Sequence, residues 1–187
     1  MAGLAFSQQD GTLSQPATIH EKWHLFTQET FNPLTPVAGA FNASVSQATN
    51  SDPRYGVGGA AYAQRFGAST ADIVTQNLFE DFVFASAFRE DTRYIRKGRE
   101  AGLWPRAGHA IASAFVVRRD AGGATFNWAN AAGTAASTAL SNAYYPPASR
   151  TGGAMAIHFG TSFVGAGLGN PAPEFWPDVR HWLGRHL

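Results

Sequence analysis

Hydrophobic and polar positions along this chain recur mostly at spacings of three and four, which is how a helix with one buried face reads. Thr18 followed three residues later by Glu21 carries the signature of a capping box. It predicts a helix from Ile19 to about Phe31 that buries Trp23, Phe26 and Phe31 and is stopped by Pro33. From Pro36 to Ala48, the residues Val37, Phe41, Val45 and Ala48 share one helical face, with Ala40, Ser44 and Ala48 forming a small-residue stripe beside it. Asn50-Ser51-Asp52-Pro53 reads as a turn. The Gly-rich stretch Gly56-x-Gly58-Gly59 leads into a short helix through Phe66. Thr70 then caps the longest helix, about Ala71 to Arg89, whose broad apolar arc (Ile73, Val74, Leu78, Phe82, Val83, Phe88) places it centrally.

A charged connector, Glu90 to Leu103, precedes a helix opened by Pro105 and running to about Arg118. Asp120-Ala121-Gly122-Gly123 is a turn. Ala131, Ala135, Ala139 and Ala143 then repeat at a spacing of four, up to the stop at Pro146-Pro147. Gly153 to Leu168 is the last long apolar segment, and Pro173 to Leu187 is an amphipathic terminal piece. The chain therefore reads as a mainly α single domain over residues 18–187. It is a bundle of about six or seven short helices packed through small residues, preceded by a leader over 1–17. A small antiparallel β-barrel stays open as the alternative. Met155, Ile157, Phe159, Thr161 and Phe163 alternate with small residues, as do Ile111, Ser113, Phe115 and Val117. Helices are preferred because the spacing of four recurs in more segments and agrees with the caps.

Charge changes the picture most. No Asp, Glu, Lys or Arg lies between Glu29 and Asp52, between Asp120 and Arg150, or between Arg150 and Glu174, whereas charges crowd into Glu80 to Arg106. Hydrophobic residues at 44% and aromatics at 13% fit a folded chain of 187 residues. A net charge of +1, with Arg89, Glu90, Asp91 and Arg93 alternating in sign, gives no phosphate track and no reason to expect a nucleic-acid partner. The absence of Cys excludes disulfides, thiolate metal sites and cysteine nucleophiles.

The sharpest chemical motif is His20-Glu21-Lys22-Trp23-His24. Two histidines four apart on one helical face can hold zinc while Glu21 polarises a bound water, as in zinc-dependent metallopeptidases, which these five residues resemble. A third ligand would have to come from Glu80, His109 or His158. The competing reading makes Glu21 the capping-box partner of Thr18. His109 with Glu80 or Asp81 would be an acid–base pair; otherwise one of Glu80 and Asp81 is expected to be buried and paired with Arg93 or Arg106. The Gly-rich runs lack the Lys and the context of a phosphate loop, and no G-x-S-x-G elbow is present. Asp52-Pro53-Arg54-Tyr55 and Asp91-Thr92-Arg93-Tyr94 repeat the pattern Asp-x-Arg-Tyr, read as two like turns in which Asp caps backbone donors and Arg meets a carboxylate.

Tyr55-Gly56-x-Gly58, Arg65-Phe66-Gly67, Asp91-x-Arg93-Tyr94, Ser141-Asn142-x-Tyr144-Tyr145-Pro146 and Glu174-Phe175-Trp176-Pro177-Asp178 resemble an uncharacterised family of small exported bacterial proteins. The resemblance implies a cell-envelope location and supplies no catalytic residue. Ala5 and Ser7, followed by Gln8, fit the tail of a signal peptide, with an ordinary terminus as the alternative. The expected function is that of a non-enzymatic envelope protein, with no cofactor, binding lipid, a membrane surface or an envelope partner. Trp104, Trp128, Tyr144, Tyr145, Trp176 and Trp182 would be its interfacial anchors. A zinc hydrolase on His20, Glu21 and His24, and a structural subunit, homo-oligomeric or otherwise, are the alternatives.

Overall fold

The structure, a computed structural model, describes residues 15–169 and 171–186. The expected leader and signal-peptide residues up to position 14 lie outside the described residues. Helices α1 (Ile19–Thr30) and α2 (Leu34–Thr49) are followed by α3 (Gly59–Asn77), a π-helical segment (Leu78–Phe84) and α4 (Ala85–Phe88), which run on as one rod. Strand β1 (Glu90–Asp91), helix α5 (Leu103–Ala112), strands β2 (Val116–Arg119) and β3 (Ala124–Phe126), and helices α6 (Trp128–Ser141), α7 (Gly152–Gly169) and α8 (Pro171–His186) complete the fold. The fold is mainly α, with one small antiparallel sheet ordered β1-β2-β3. Its register pairs Glu90 with Arg119 and Val117 with Thr125.

The rod Gly59–Phe88 is the centre. Helix α2 packs along its first half, α1 against the π segment, and α6 antiparallel along its length, with α7 on the far side of α6. No helix starts at Thr70. Its hydroxyl faces Gly39 of α2, where an added Cβ would overlap it, so continuous packing outweighs the local capping preference. The predicted helix to Arg118 ends instead at Ala112, and Val116–Arg119 joins the sheet. The alternation Phe115–Val117 therefore marks a strand, whereas the alternation 155–163 lies within α7.

Two close contacts set the interior. The missing side chain of Gly39 admits Thr70, and a Cβ at Gly133 would lie 2.8 Å from the backbone nitrogen of Glu80 in the π segment. Helices that approach this closely leave room only for small side chains between them. The interior is accordingly Ala43, Ala61, Ala68, Ala85, Ala110 and Ala129, with Ser46, Asn130, Thr134, Ser137 and Ser141, and few large apolar groups besides Phe26 and Tyr145.

This reverses the expected faces of two helices. On α2 the buried stripe is Thr35, Gly39, Ala43 and Ser46, while Val37 and Phe41 stand 60% and 68% exposed. On α6 the buried stripe is Gly133, Ser137 and Ser141, and Ala135 and Ala139 face outward, as does Ala143 just beyond the helix. Trp23 and Phe31 of α1 are exposed rather than buried, although Trp23 keeps an edge contact to Phe82, with ring centroids 5.0 Å apart. Small-residue packing holds; its phase is the opposite of the one predicted.

Gly133→Ala should destabilise the protein by about 2 kcal/mol in chemical denaturation, because the added methyl meets backbone that cannot give way. Gly67→Ala, on an exposed stretch of α3 with nothing within 4 Å, should be neutral or stabilising by up to about 1 kcal/mol.

Candidate functional site

The five-residue motif of α1 is built around its middle residue. The capping box forms: the Glu21 carboxylate accepts from the Thr18 backbone at 2.7 Å and its hydroxyl at 2.9 Å, and lies 3.5 Å from Arg93. These donors hold the Glu21 carboxyl below its ordinary range, the Thr18 backbone contributing most. Lys22 turns inward, where its ammonium donates to the Ala85 carbonyl at 2.9 Å and pairs with Asp120 at 2.8 Å. His20 and His24 stay exposed. Among the described residues, no three His, Cys, Asp or Glu side chains come together to hold a metal ion. The distant ligands are each engaged elsewhere. His109 meets the Ile95 carbonyl at 2.9 Å, His158 stacks on Tyr145, and Glu80 takes a 3.5 Å contact from Asn127.

The two Asp-x-Arg-Tyr turns share a construction. In each, the arginine folds back onto its own aspartate, Arg54 to Asp52 at 3.3 Å and Arg93 to Asp91 at 2.6 Å. In each, the tyrosine hydroxyl then donates to a residue far along the chain, Tyr55 to the Tyr144 carbonyl and Tyr94 to Glu174. Asp52 also accepts from the Ser149 hydroxyl at 2.7 Å, closing the first turn onto the loop after α6.

Two polar clusters escape sequence reasoning. The first centres on Asp72 of α3. Tyr144 and Tyr145 both donate to its carboxylate at 2.6 Å, and the His158 imidazole lies 3.8 Å from it. Burial raises the Asp72 carboxyl and the two phenols only partly offset this; the phenols themselves are pushed up by burial and by the carboxylate, so they keep their protons. The tyrosines thus serve as internal donors, not as the interfacial anchors expected. The second cluster centres on Glu174 of α8, fully buried, which takes hydrogen bonds from Arg106 at 2.7 Å and Tyr94 at 2.8 Å and from the Lys97 backbone. Arg106 also meets Asp178 at 2.7 Å. The signal that could have found Asp72 is that it is the one acid of α3, whose other charged residue is Arg65.

Glu80 and Asp81 pair with neither Arg93 nor Arg106. Asp81 is buried and accepts from the Thr92 hydroxyl at 3.0 Å. Burial, with the nearby charge of Glu29, pushes the Glu80 carboxyl up to about 7 and raises Asp81 as well. Arg65 of α3 is 0% exposed and donates to Ser46, Gln47 and the Gly56 carbonyl, with no carboxylate partner among the described residues.

These placements converge on one property. Helices α2, α6 and α7 carry no Asp, Glu, Lys or Arg, and the charged groups of the rod between Gly59 and Phe84 are turned inward and engaged. What the same helices turn outward includes Val37, Phe41, Val45, Leu140, Ile157 and Val164. Trp104, Trp128 and Trp182 are exposed as well. Among the described residues, no helix is long and apolar enough to cross a membrane. No protein-family model matches the chain, and no curated protein or solved structure matches it either.

Because the folded state keeps Glu80 protonated at a pH where the unfolded chain ionises it, stability should fall as pH rises from about 4.5 to 7. Melting temperature measured across this window should drop, and Glu80→Gln should make the drop shallower while keeping the fold, the remainder coming from Asp81 and Glu29. Arg106→Ala, which leaves the Glu174 carboxylate buried without its guanidinium, should cost about 3 kcal/mol or more in denaturant titration.

Proposed function

We propose that this protein works at a bacterial envelope by lying on a membrane surface and binding lipid through an uncharged face, without catalysis. One observation carries the reading: the charge-free helices α2, α6 and α7 expose large apolar side chains over an interior of small and polar ones. In water, burying Phe41 and Ile157, 68% and 66% exposed here, would yield roughly 2 kcal/mol each, yet the fold gives that up. Against lipid the arrangement is favourable. Apolar side chains keep an apolar neighbour, and the charged groups of the rod point into the protein, away from that face.

The dimensions suit an interfacial position better than a spanning one. Helix α6, at 14 residues, is about 21 Å long, against about 30 Å for a bilayer hydrocarbon core. Exposed tryptophans at the ends of α5, α6 and α8 suit the headgroup region, where an indole finds both an apolar and a wet side. The resemblance to small exported proteins points to the same place.

Vesicle co-sedimentation of the full chain tests this. The protein should pellet with phosphatidylcholine vesicles, and Phe41→Asp with Ile157→Asp should reduce binding by about tenfold or more without lowering the melting temperature. A chain that stays free of vesicles, or that buries the same face by forming a stable oligomer in sedimentation velocity, would overturn the lipid reading.

A further inference from the structure

At the start of α6 the uncharged helices meet the charged sheet. A shallow cleft of about 490 Å³ opens there, lined by Phe88, Arg89, Glu90, Arg119, Ala121 and Trp128. Its two characters are separate. Phe88 and Trp128 form an exposed aromatic wall, each backed by another ring, Phe84 stacked on Phe88 and Phe126 edge-on to Trp128. Arg89 and Arg119 bring two exposed guanidinium groups to the same cleft.

The charges around it leave a surplus cation. The buried Glu90 carboxylate accepts from the Ala129 backbone at 2.8 Å and from that of Trp128, so it is spent on the first turn of α6, with Arg119 as its nearest guanidinium neighbour in charge. Lys22 and Asp120 cancel each other. Among the described residues, the Arg119 guanidinium makes one long hydrogen bond, 3.4 Å to the Thr125 hydroxyl. Arg89 terminates α4 in the left-handed conformation at φ 56°, and among the described residues its guanidinium meets no carboxylate or carbonyl. Lysine in the same position would offer a point charge, whereas a guanidinium offers a planar fork that fits phosphate oxygens two at a time.

We propose that this cleft binds the headgroup end of an anionic phospholipid, with the phosphate between Arg89 and Arg119 and the glycerol and upper acyl chain over Phe88 and Trp128. The inference rests on the lipid-face reading above and adds a lipid class to it. The cleft lies where that reading puts the headgroup layer: apolar α6 on one side, the charged hairpin of β2 and β3 on the other. An aromatic wall beside a guanidinium pair matches an amphipathic anion, whose charged and apolar parts are joined in that order.

The full chain is tested against phosphatidylcholine vesicles with and without phosphatidylglycerol. The wild type should prefer the anionic vesicles. Arg89→Gln with Arg119→Gln should remove that preference, a loss of about tenfold or more, while binding to phosphatidylcholine is unchanged. Arg89→Lys with Arg119→Lys should retain part of it, and Lys97→Gln, which removes an exposed charge elsewhere, should retain all of it. Melting curves establish that the variants fold; should Arg119→Gln loosen the hairpin, Arg89→Gln alone carries the test. An undiminished preference in the double variant, or an equal loss in Lys97→Gln, would overturn the site in favour of diffuse attraction. Full displacement by millimolar inorganic phosphate would overturn it in favour of a small free anion. Equal binding of the wild type to both vesicle types would sink the headgroup site and leave the apolar face standing, whereas binding to neither would remove both.

Discussion

The contact between Gly133 of α6 and the backbone of Glu80 governs the rest of this molecule. Once two helices meet backbone to backbone, large side chains cannot stand between them. The same happens where Gly39 admits Thr70. Alanine, serine, threonine and asparagine fill the interior, and phenylalanine, valine and isoleucine are left to face outward. Close dispersion contacts and buried hydrogen bonds then carry cohesion that bulky apolar burial supplies in most folds. The wide π turn from Leu78 to Phe84 belongs to this arrangement, since the backbone that α6 touches is its own.

An interior of this kind can host charge, and it does so by saturation. Lys22 holds a carbonyl and a carboxylate, Glu174 gathers an arginine, a tyrosine and a backbone amide, and Asp72 takes two phenols. Glu80 and Asp81, with hydroxyl and amide donors in place of cations, are instead driven toward the neutral form. Buried ions of this type add little net stability and cost dearly when a partner is lost.

Much of the fold was legible in the sequence, and the failures have one cause. The capping box at Thr18 and Glu21 marks α1 because both partners are local. Segment 153–168 falls within α7, and the small-residue spacing in α2 and α6 announces tight packing. The phase of that packing is not legible because it is set by Gly39 and Gly133 meeting Thr70 and the Glu80 backbone, contacts with distant sequence, and not by the stripe of large apolar residues Val37, Phe41 and Val45. A two-residue strand such as β1 is too short to display a period, and the alternation ahead of β2 is outweighed by the helical reading of the segment before it. Of the candidate site, the repeated turn at Asp52 and Asp91 is visible as a pattern, whereas nothing in the His20–His24 motif marks Lys22 as its most buried member. Asp72 carries no motif because its partners Tyr144 and Tyr145 come from distant sequence, and Arg89 and Arg119 are brought to one cleft only by the fold.

The two tyrosine turns also bear on the order in which the chain can assemble. Tyr55 reaches 89 residues ahead to Tyr144, Tyr94 reaches 80 ahead to Glu174, and Arg106 waits 68 residues for that same glutamate. During synthesis at about 5–20 residues per second, the first half of each contact spends several seconds without its partner. Arg106 must stay hydrated through that interval, because enclosing it alone would strand a charge. Helix α5 therefore cannot dehydrate fully around Arg106 until α8 arrives with Glu174, even though the packing of α2 and α6 on the rod needs no part of α8.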